Sequence, residues 1–254
     1  MMPRIMVAPN GARLTPDVHP GVPITDEALI ETGRACYAAG AQALHAHLRD
    51  GQGNHLLDAD RYQRLVSEFA TQVPGLKIQV TSEAAGIYSS DAQIQLLDQL
   101  RAPWVSIAVR EIARQQAIPN LASFFARLSA SLEIQFIVYD TADLHLLWQL
   151  QSEGVFGERA LDVLYVLGRY TEHRESTPEM LDPFLAASGQ APVARTLRSQ
   201  MVCAFGRAQI ECLRVAAASG LDVRVGFENG VWRRDGTVGA TNAELVSDLL
   251  DGLT

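Results

Sequence analysis

Short apolar runs alternate with longer helix-like segments eight times along this chain, and that alternation limits its fold more than any other feature. The apolar runs cover residues 4–8, 42–48, 77–81, 104–108, 134–139, 161–167, 199–204 and 223–227. Each is short and bounded by Gly, Pro or polar residues, as strands are. The segments between them predict helices over 25–39, 58–72, 90–100, 120–131, 141–151, 177–187, 206–219 and 241–250. Thr25 reads as an N-cap with Asp26 and Glu27 in the first turn, the usual chemistry of a helix start. Strands that alternate with helices imply βαβ units and a parallel sheet. Eight units in 254 residues match the length of a (β/α)8 TIM barrel, about 250 residues. A doubly wound open sheet is the alternative, but no G-x-G-x-x-G follows the first strand to mark a dinucleotide-binding version. No linker or low-complexity tract interrupts the series, so residues 1–254 read as a single α/β domain.

A barrel directs attention to the C-terminal ends of its strands, where such enzymes keep their active sites. There the chain has Asn10 and Arg13, His45 and His47, Thr81-Ser82-Glu83, Ser106, the stretch from Gln135 to Asp140, Gly168-Arg169-Tyr170, Gly206-Arg207, and the stretch from Arg224 to Asn229. His45 and His47 are two residues apart in one strand, so both side chains take the same face. Two such imidazoles can hold a divalent metal. A pair of core histidines bonded to each other fits the same spacing. Glu228 follows the eighth strand, which in a closed barrel lies two places from the second. It is the natural third ligand, because two histidines and a glutamate with one open position form a common catalytic zinc set. Arg224 stands four residues before Glu228, on the same face if the strand is regular. A guanidinium there needs a carboxylate, from the chain or from a substrate. Thr81, Ser82 and Ser106 offer hydroxyls to orient a carboxylate or carbonyl. Asp140 fits a helix cap, and Glu133 a structural role. His19, His55, His145 and His173 carry no assigned role.

Composition narrows the chemistry. Lys77 is the only lysine among 21 lysines and arginines, and it opens its strand, at the end away from the site. Schiff-base aldolase and pyridoxal phosphate chemistry, which need a placed lysine amine, are thereby disfavoured. The net charge of −8 and the lack of a basic run argue against nucleic acid or an anionic membrane as partner. No apolar run approaches the ~20 residues that span a bilayer. The start shows no signal-peptide pattern. Cys36, Cys203 and Cys212 form no C-x-x-C pair and read as reduced thiols of a cytoplasmic protein.

Taken together, several segments resemble the β-keto acid cleavage enzymes, the group that includes 3-keto-5-aminohexanoate cleavage enzymes. They are Ala8-Pro9-Asn10-Gly11-Ala12-Arg13, His19-Pro20 on to Thr25, Ala39-Gly40-Ala41 on through His45-Ala46-His47-Leu48-Arg49-Asp50-Gly51, Ile78-Gln79-Val80-Thr81-Ser82, Val138-Tyr139-Asp140-Thr141, Val223-Arg224-Val225-Gly226-Phe227-Glu228-Asn229, and Ala240-Thr241-Asn242-Ala243-Glu244-Leu245-Val246. The resemblance implies a (β/α)8 barrel with a catalytic zinc ion on His45, His47 and Glu228. It implies a retro-Claisen reaction in which a β-keto acid and acetyl-CoA, as co-substrate, give acetoacetate and a new CoA ester. It also implies a homotetramer. Arg224 and Asn229 become the candidate catalytic residues. Asn10, Arg13, Thr81, Ser82, Ser106 and Gln135 become the candidate substrate-binding residues.

The chain departs from the family pattern at several points. Asn229 stands where members often carry an Asp that works with the arginine, and an amide cannot accept a proton as a base. Gln135 replaces a carboxylate of the fifth strand. Arg13 replaces an acid in the first loop and would favour a more anionic substrate, since guanidinium pairs well with carboxylate. Gly168-Arg169-Tyr170 replaces a Gly-rich loop. Two other readings stay open beside the cleavage enzyme: another metal-dependent barrel hydrolase, and a non-catalytic metal- or metabolite-binding barrel.

Overall fold

The computed structural model describes residues 2–129, 131–168, 175–189 and 197–253. Its strands are β1 (Ile5–Val7), β2 (Ala43–Ala46), β3 (Leu48–Arg49), β4 (His55–Leu56), β5 (Lys77–Thr81), β6 (Trp104–Ala108), β7 (Glu133–Val138), β8 (Leu161–Leu167), β9 (Leu197–Ala204) and β10 (Asp222–Val225). Its helices are α1 (Asp26–Ala38), α2 (Ala59–Gln72), α3 (Ser90–Gln99), α4 (Val109–Ile112), α5 (Ile118–Arg127), α6 (Thr141–Ser152), α7 (Asp182–Ser188), α8 (Gln209–Ala218) and α9 (Asn242–Leu253). Eight strands close a parallel barrel in the order β1-β10-β9-β8-β7-β6-β5-β2, while β3 and β4 form a separate antiparallel hairpin. The expected (β/α)8 barrel is therefore present.

Local chemistry explains most element ends. Thr25, Asp58, Ser89 and Asp140 each accept a backbone N–H of the first turn of α1, α2, α3 and α6. Several boundaries differ from the sequence reading; the strand expected over 42–48 ends at Ala46, so His47 falls just beyond it. The helix expected over 120–131 starts earlier, at Ile118, and ends at Arg127; Pro119 suits its first turn, where a missing N–H costs nothing. The helix expected over 177–187 is a 3-10 turn, Pro178–Leu181, followed by α7. Pro183 explains the break, because a proline inside a continuous helix removes a hydrogen bond and clashes with the preceding turn. The helix expected from residue 206 starts at Gln209, since Gly206 has φ +92°. The last strand ends at Val225, since Gly226 has φ +144°. A Cβ on Gly226 would lie 2.3 Å from the Ala8 carbonyl oxygen. Glycine is thus required where the first and last strands meet.

Two cores hold the molecule. The larger lies between barrel and helices and draws on strand residues such as Ile5, Val7, Leu44, Val80, Val105, Phe136 and Val223. The smaller fills the barrel with Met6, Ala43, Trp104, Ala108, Ile137, Leu164, Val166, Met201, Cys203 and Phe205. Side chains alternate between these two faces along every strand. The inner face also carries buried polar groups, among them His45, Gln79, Ser106, Gln135 and Arg224. Among the described residues no helix is long and apolar enough to cross a membrane.

Candidate active site

His45 lies in β2, and His47 lies in the gap between β2 and β3. Their Nε2 atoms are 3.0 Å apart. Glu228 Oε2 lies 3.6 Å from His45 Nε2 and 3.5 Å from His47 Nε2. The three donor atoms lie within 4.8 Å of one another, and all three residues are buried. A tetrahedral zinc with bonds of about 2.0–2.2 Å sets its donors roughly 3.4 Å apart. The observed spacing is of that size.

The surrounding hydrogen bonds fix what each donor atom presents. His45 Nδ1 lies 2.7 Å from Gln79 Oε1. An amide oxygen only accepts, so Nδ1 carries the proton and Nε2 presents a lone pair. Gln79 is itself oriented: its Nε2 donates to Gln135 Oε1 at 3.0 Å, and Gln135 Nε2 donates to Met201 Sδ at 3.7 Å. A thioether cannot donate, which fixes the direction of the whole chain. His47 is oriented the same way. His55 Nε2 donates to the Glu83 carbonyl at 2.9 Å, so the Nδ1 of a neutral His55 accepts, and His47 Nδ1 lies 3.4 Å from it. His47 Nε2 is then a lone pair too. Burial, above all, holds both rings well below their ordinary pKa, with Arg224 and neighbouring imidazoles acting in the same direction. Two lone pairs and the Glu228 oxygen, a buried atom with no hydrogen-bond partner, therefore converge. That arrangement fits a divalent cation, and the outer hydrogen bonds are those that position metal-bound imidazoles.

Arg224 Nη2 donates to Glu228 Oε1 at 3.0 Å. The even spacing places the two groups together although the strand stops at Val225. Burial raises the Glu228 carboxyl above its ordinary pKa, and Arg224 opposes that shift. Asn229 is buried, and its amide nitrogen and oxygen have no hydrogen-bond partner among the described residues.

The other anticipated residues divide into two groups. Thr81, at the end of β5, and Ser106, in the middle of β6, are register partners, and Ser106 Oγ donates to Thr81 Oγ1 at 3.1 Å. Ser82 Oγ donates to the Ser106 carbonyl. Arg13 lies at the rim, with Nη2 3.4 Å from the Ala85 carbonyl, and it acts electrostatically on Glu83 and Glu111. Asn10 and Gln135 bond to groups around the two histidines. The Asn10 amide donates to the carbonyls of Pro23 and His47 and accepts the His47 N–H, while Gln135 orients Gln79. Gly168 is described, but Arg169, Tyr170 and His173 lie outside the described residues. Asp140 caps α6 and pairs with Arg110, and Glu133 pairs with Lys77.

Sequence reasoning missed two groups. His55 is drawn to His47 by the β3–β4 hairpin, which pairs Arg49 with His55. The Asp50-Gly51 turn was the signal that could have revealed it. Glu83 was noted only as a strand-end residue. Its Oε2 lies 3.6 Å from His47 Nε2. Burial, then Glu228 and Glu111, pushes its carboxyl up to about 8.

Two buried histidines and a buried glutamate, close enough to share one metal ion, thus lie at the mouth of a (β/α)8 barrel. The sequence signature of the β-keto acid cleavage enzyme family matches residues 4–253, and the chain belongs to that family. It is 24% identical to a 3-keto-5-aminohexanoate cleavage enzyme of Fusobacterium nucleatum, over 97% of this chain and 90% of that protein. It is 24% identical to a 3-oxoadipate:acetyl-CoA acetyltransferase of Cupriavidus necator, over 96% of this chain and 86% of that one. A solved structure of ObcA in complex with oxaloacetate superposes with a TM-score of 0.64 at 17% identity, over 91% of this chain. This chain spans only 63% of the ObcA chain, and a likeness at that identity shows the fold alone.

Proposed function

We propose that this chain is a zinc-dependent acyltransferase that exchanges acyl groups between a β-keto acid and acetyl-CoA. In balanced form, R–CO–CH2–COO⁻ and acetyl-CoA give acetoacetate and R–CO–CoA. The observation that carries this reading is the convergence of His45 Nε2, His47 Nε2 and Glu228 Oε2. A divalent ion held there supplies Lewis acidity toward the keto and carboxylate oxygens of the substrate. Arg224 occupies Glu228 Oε1, which leaves Oε2 to the ion, and its charge favours an anion formed beside it. Thr81 and Ser106 orient the substrate carboxylate. Asn229 contributes its unpaired amide as a hydrogen-bonding group. The names of the relatives support both the β-keto acid and the acetyl-CoA. The 3-oxoadipate relative, together with Arg13 at the rim, favours a keto acid with a second carboxylate. The same reading makes the chain a single-domain cytoplasmic protein, assembled as a homotetramer.

The deciding experiment is acetoacetate release by metal-loaded protein given acetyl-CoA and a panel of β-keto acids, with His45→Ala as control. We expect release that is lost by more than ~10³-fold in the variant, since several kcal/mol of charge stabilisation disappear with the ion. A second reading, a metal-dependent hydrolase, is favoured by one observation, the placement of the Glu83 carboxylate beside His47. Keto-acid cleavage that needs no acetyl-CoA and forms no CoA ester would replace the first reading with the second.

A further inference from the structure

Glu83 is a largely buried acid on which the charges of Arg13 and Arg224 act. Its side chain is 13% exposed. No hydrogen-bond donor among the described residues reaches its carboxylate. The polar atom it faces is His47 Nε2, at 3.6 Å. The outer hydrogen bonds leave that nitrogen with a lone pair, and a carboxyl oxygen set against it in a site of low solvent access calls for a proton or a metal cation between the two. Glu228 stands in the same relation to the same nitrogen, at 3.5 Å.

The backbone around Glu83 is anchored as if its position mattered. Its N–H donates to Thr81 Oγ1 at 3.1 Å, and its carbonyl accepts from His55 Nε2 at 2.9 Å. The next residue, Ala84, donates its N–H to Glu111 Oε2 at 2.8 Å. Ala85 then takes φ +49°, a left-handed conformation that a residue with a side chain adopts only when its surroundings impose it. The Glu83 carboxylate lies outside the set of donors that are mutually within 4.8 Å.

We propose that Glu83 is a fourth, displaceable protein ligand of the metal centre, so that the resting site is closed by two histidines and two glutamates. The inference rests on the metal-centre reading above. A substrate carboxylate entering the site would exchange with the Glu83 carboxylate, one anion for another, and the charge around the ion would stay constant. A neutral ligand gains nothing from that exchange, so the arrangement selects anionic substrates at the metal itself.

The test uses full-length protein stripped of metal and titrated with Co2+ against a chelator, with the visible absorption of the bound ion recorded. Wild type, Glu83→Gln, Glu83→Ser and His45→Ala are compared, and far-UV circular dichroism checks that each is folded. Both Glu83 variants should bind Co2+ at least about tenfold more weakly than wild type and show shifted absorption bands. Acetoacetate, used as the probe anion, should move the wild-type bands and should bind the Glu83 variants at lower concentration. Wild-type affinity and an unshifted spectrum in either folded Glu83 variant would overturn the inference and leave the three-ligand centre standing. Wild type that binds Co2+ no better than His45→Ala would sink the metal-centre reading and this inference with it.

Discussion

At the floor of the barrel, Lys77 donates to Glu133 at 2.6 Å, Arg198 bridges Glu133 and Asp162, and Arg4 meets Asp222. At the mouth, the Glu228 oxygen and the two Nε2 lone pairs face one another with no donor between them. Both ends of the barrel carry charge. At the floor each acid meets a guanidinium or an ammonium of the chain itself, and Lys77 also lies 4.7 Å from the centre of the Trp104 ring. At the mouth the electron-rich atoms are gathered instead. The fold is self-sufficient at the floor and prepared at the mouth for something from outside. A layer of amides, Gln79 and Gln135, separates the two ends and serves the mouth.

The largest effect that would sharpen this contrast comes from Gln79→Leu. Removing the acceptor of His45 Nδ1–H should weaken metal binding by about 10- to 100-fold, as read by chelator competition. Unchanged affinity would mean that the amide layer does not orient the imidazole. A smaller effect is expected of Arg13→Ala. The KM of dianionic keto acids should rise up to about fivefold, the scale of an exposed ion pair near 1 kcal/mol, with monoanionic ones moving less. A constant ratio between the two would remove Arg13 from substrate selection. The smallest effect belongs to the floor. Glu133→Gln breaks ion pairs whose members are a third to a half exposed, so solvent screening limits the loss to ~1 kcal/mol or less. The melting temperature should fall by no more than about 2–4 °C, with metal affinity unchanged. A matching loss of metal affinity would show that the two ends are not independent.

The barrel was legible because each strand and helix carries its own periodicity and punctuation, and a parallel barrel is built from such local units. His45, His47 and Glu228 were legible for a related reason: strand parity and strand-end position place them without knowledge of any loop. The residues that tune the site were harder to read. His55 reaches His47 through a short hairpin, so its proximity depends on a turn and a register rather than on a strand end. Glu83 points inward because Thr81, His55 and Glu111 all hold its loop, a result of three separate elements. Asn10 looked like a substrate ligand, and the structure spends its amide on the backbone of Pro23 and His47. A polar side chain at a strand end can face a substrate or a neighbouring loop, and the sequence does not separate those choices. The Arg224–Glu228 pairing survives the break at Gly226 because glycine alone permits the backbone there to press against Ala8.

That contact at Gly226 lies on the seam where the first and last strands of the barrel join. Two of the candidate donors come with the second strand of the barrel and the third follows its last strand, Asp222–Val225. A growing chain on the ribosome therefore exposes both imidazoles long before the glutamate that completes the set. An ion gripped by all three would act as a clasp across the seam. It would tie together segments separated by most of the chain, where the entropy recovered by closing a long loop is greatest. Full occupancy of the site would then record that the ring of strands has shut.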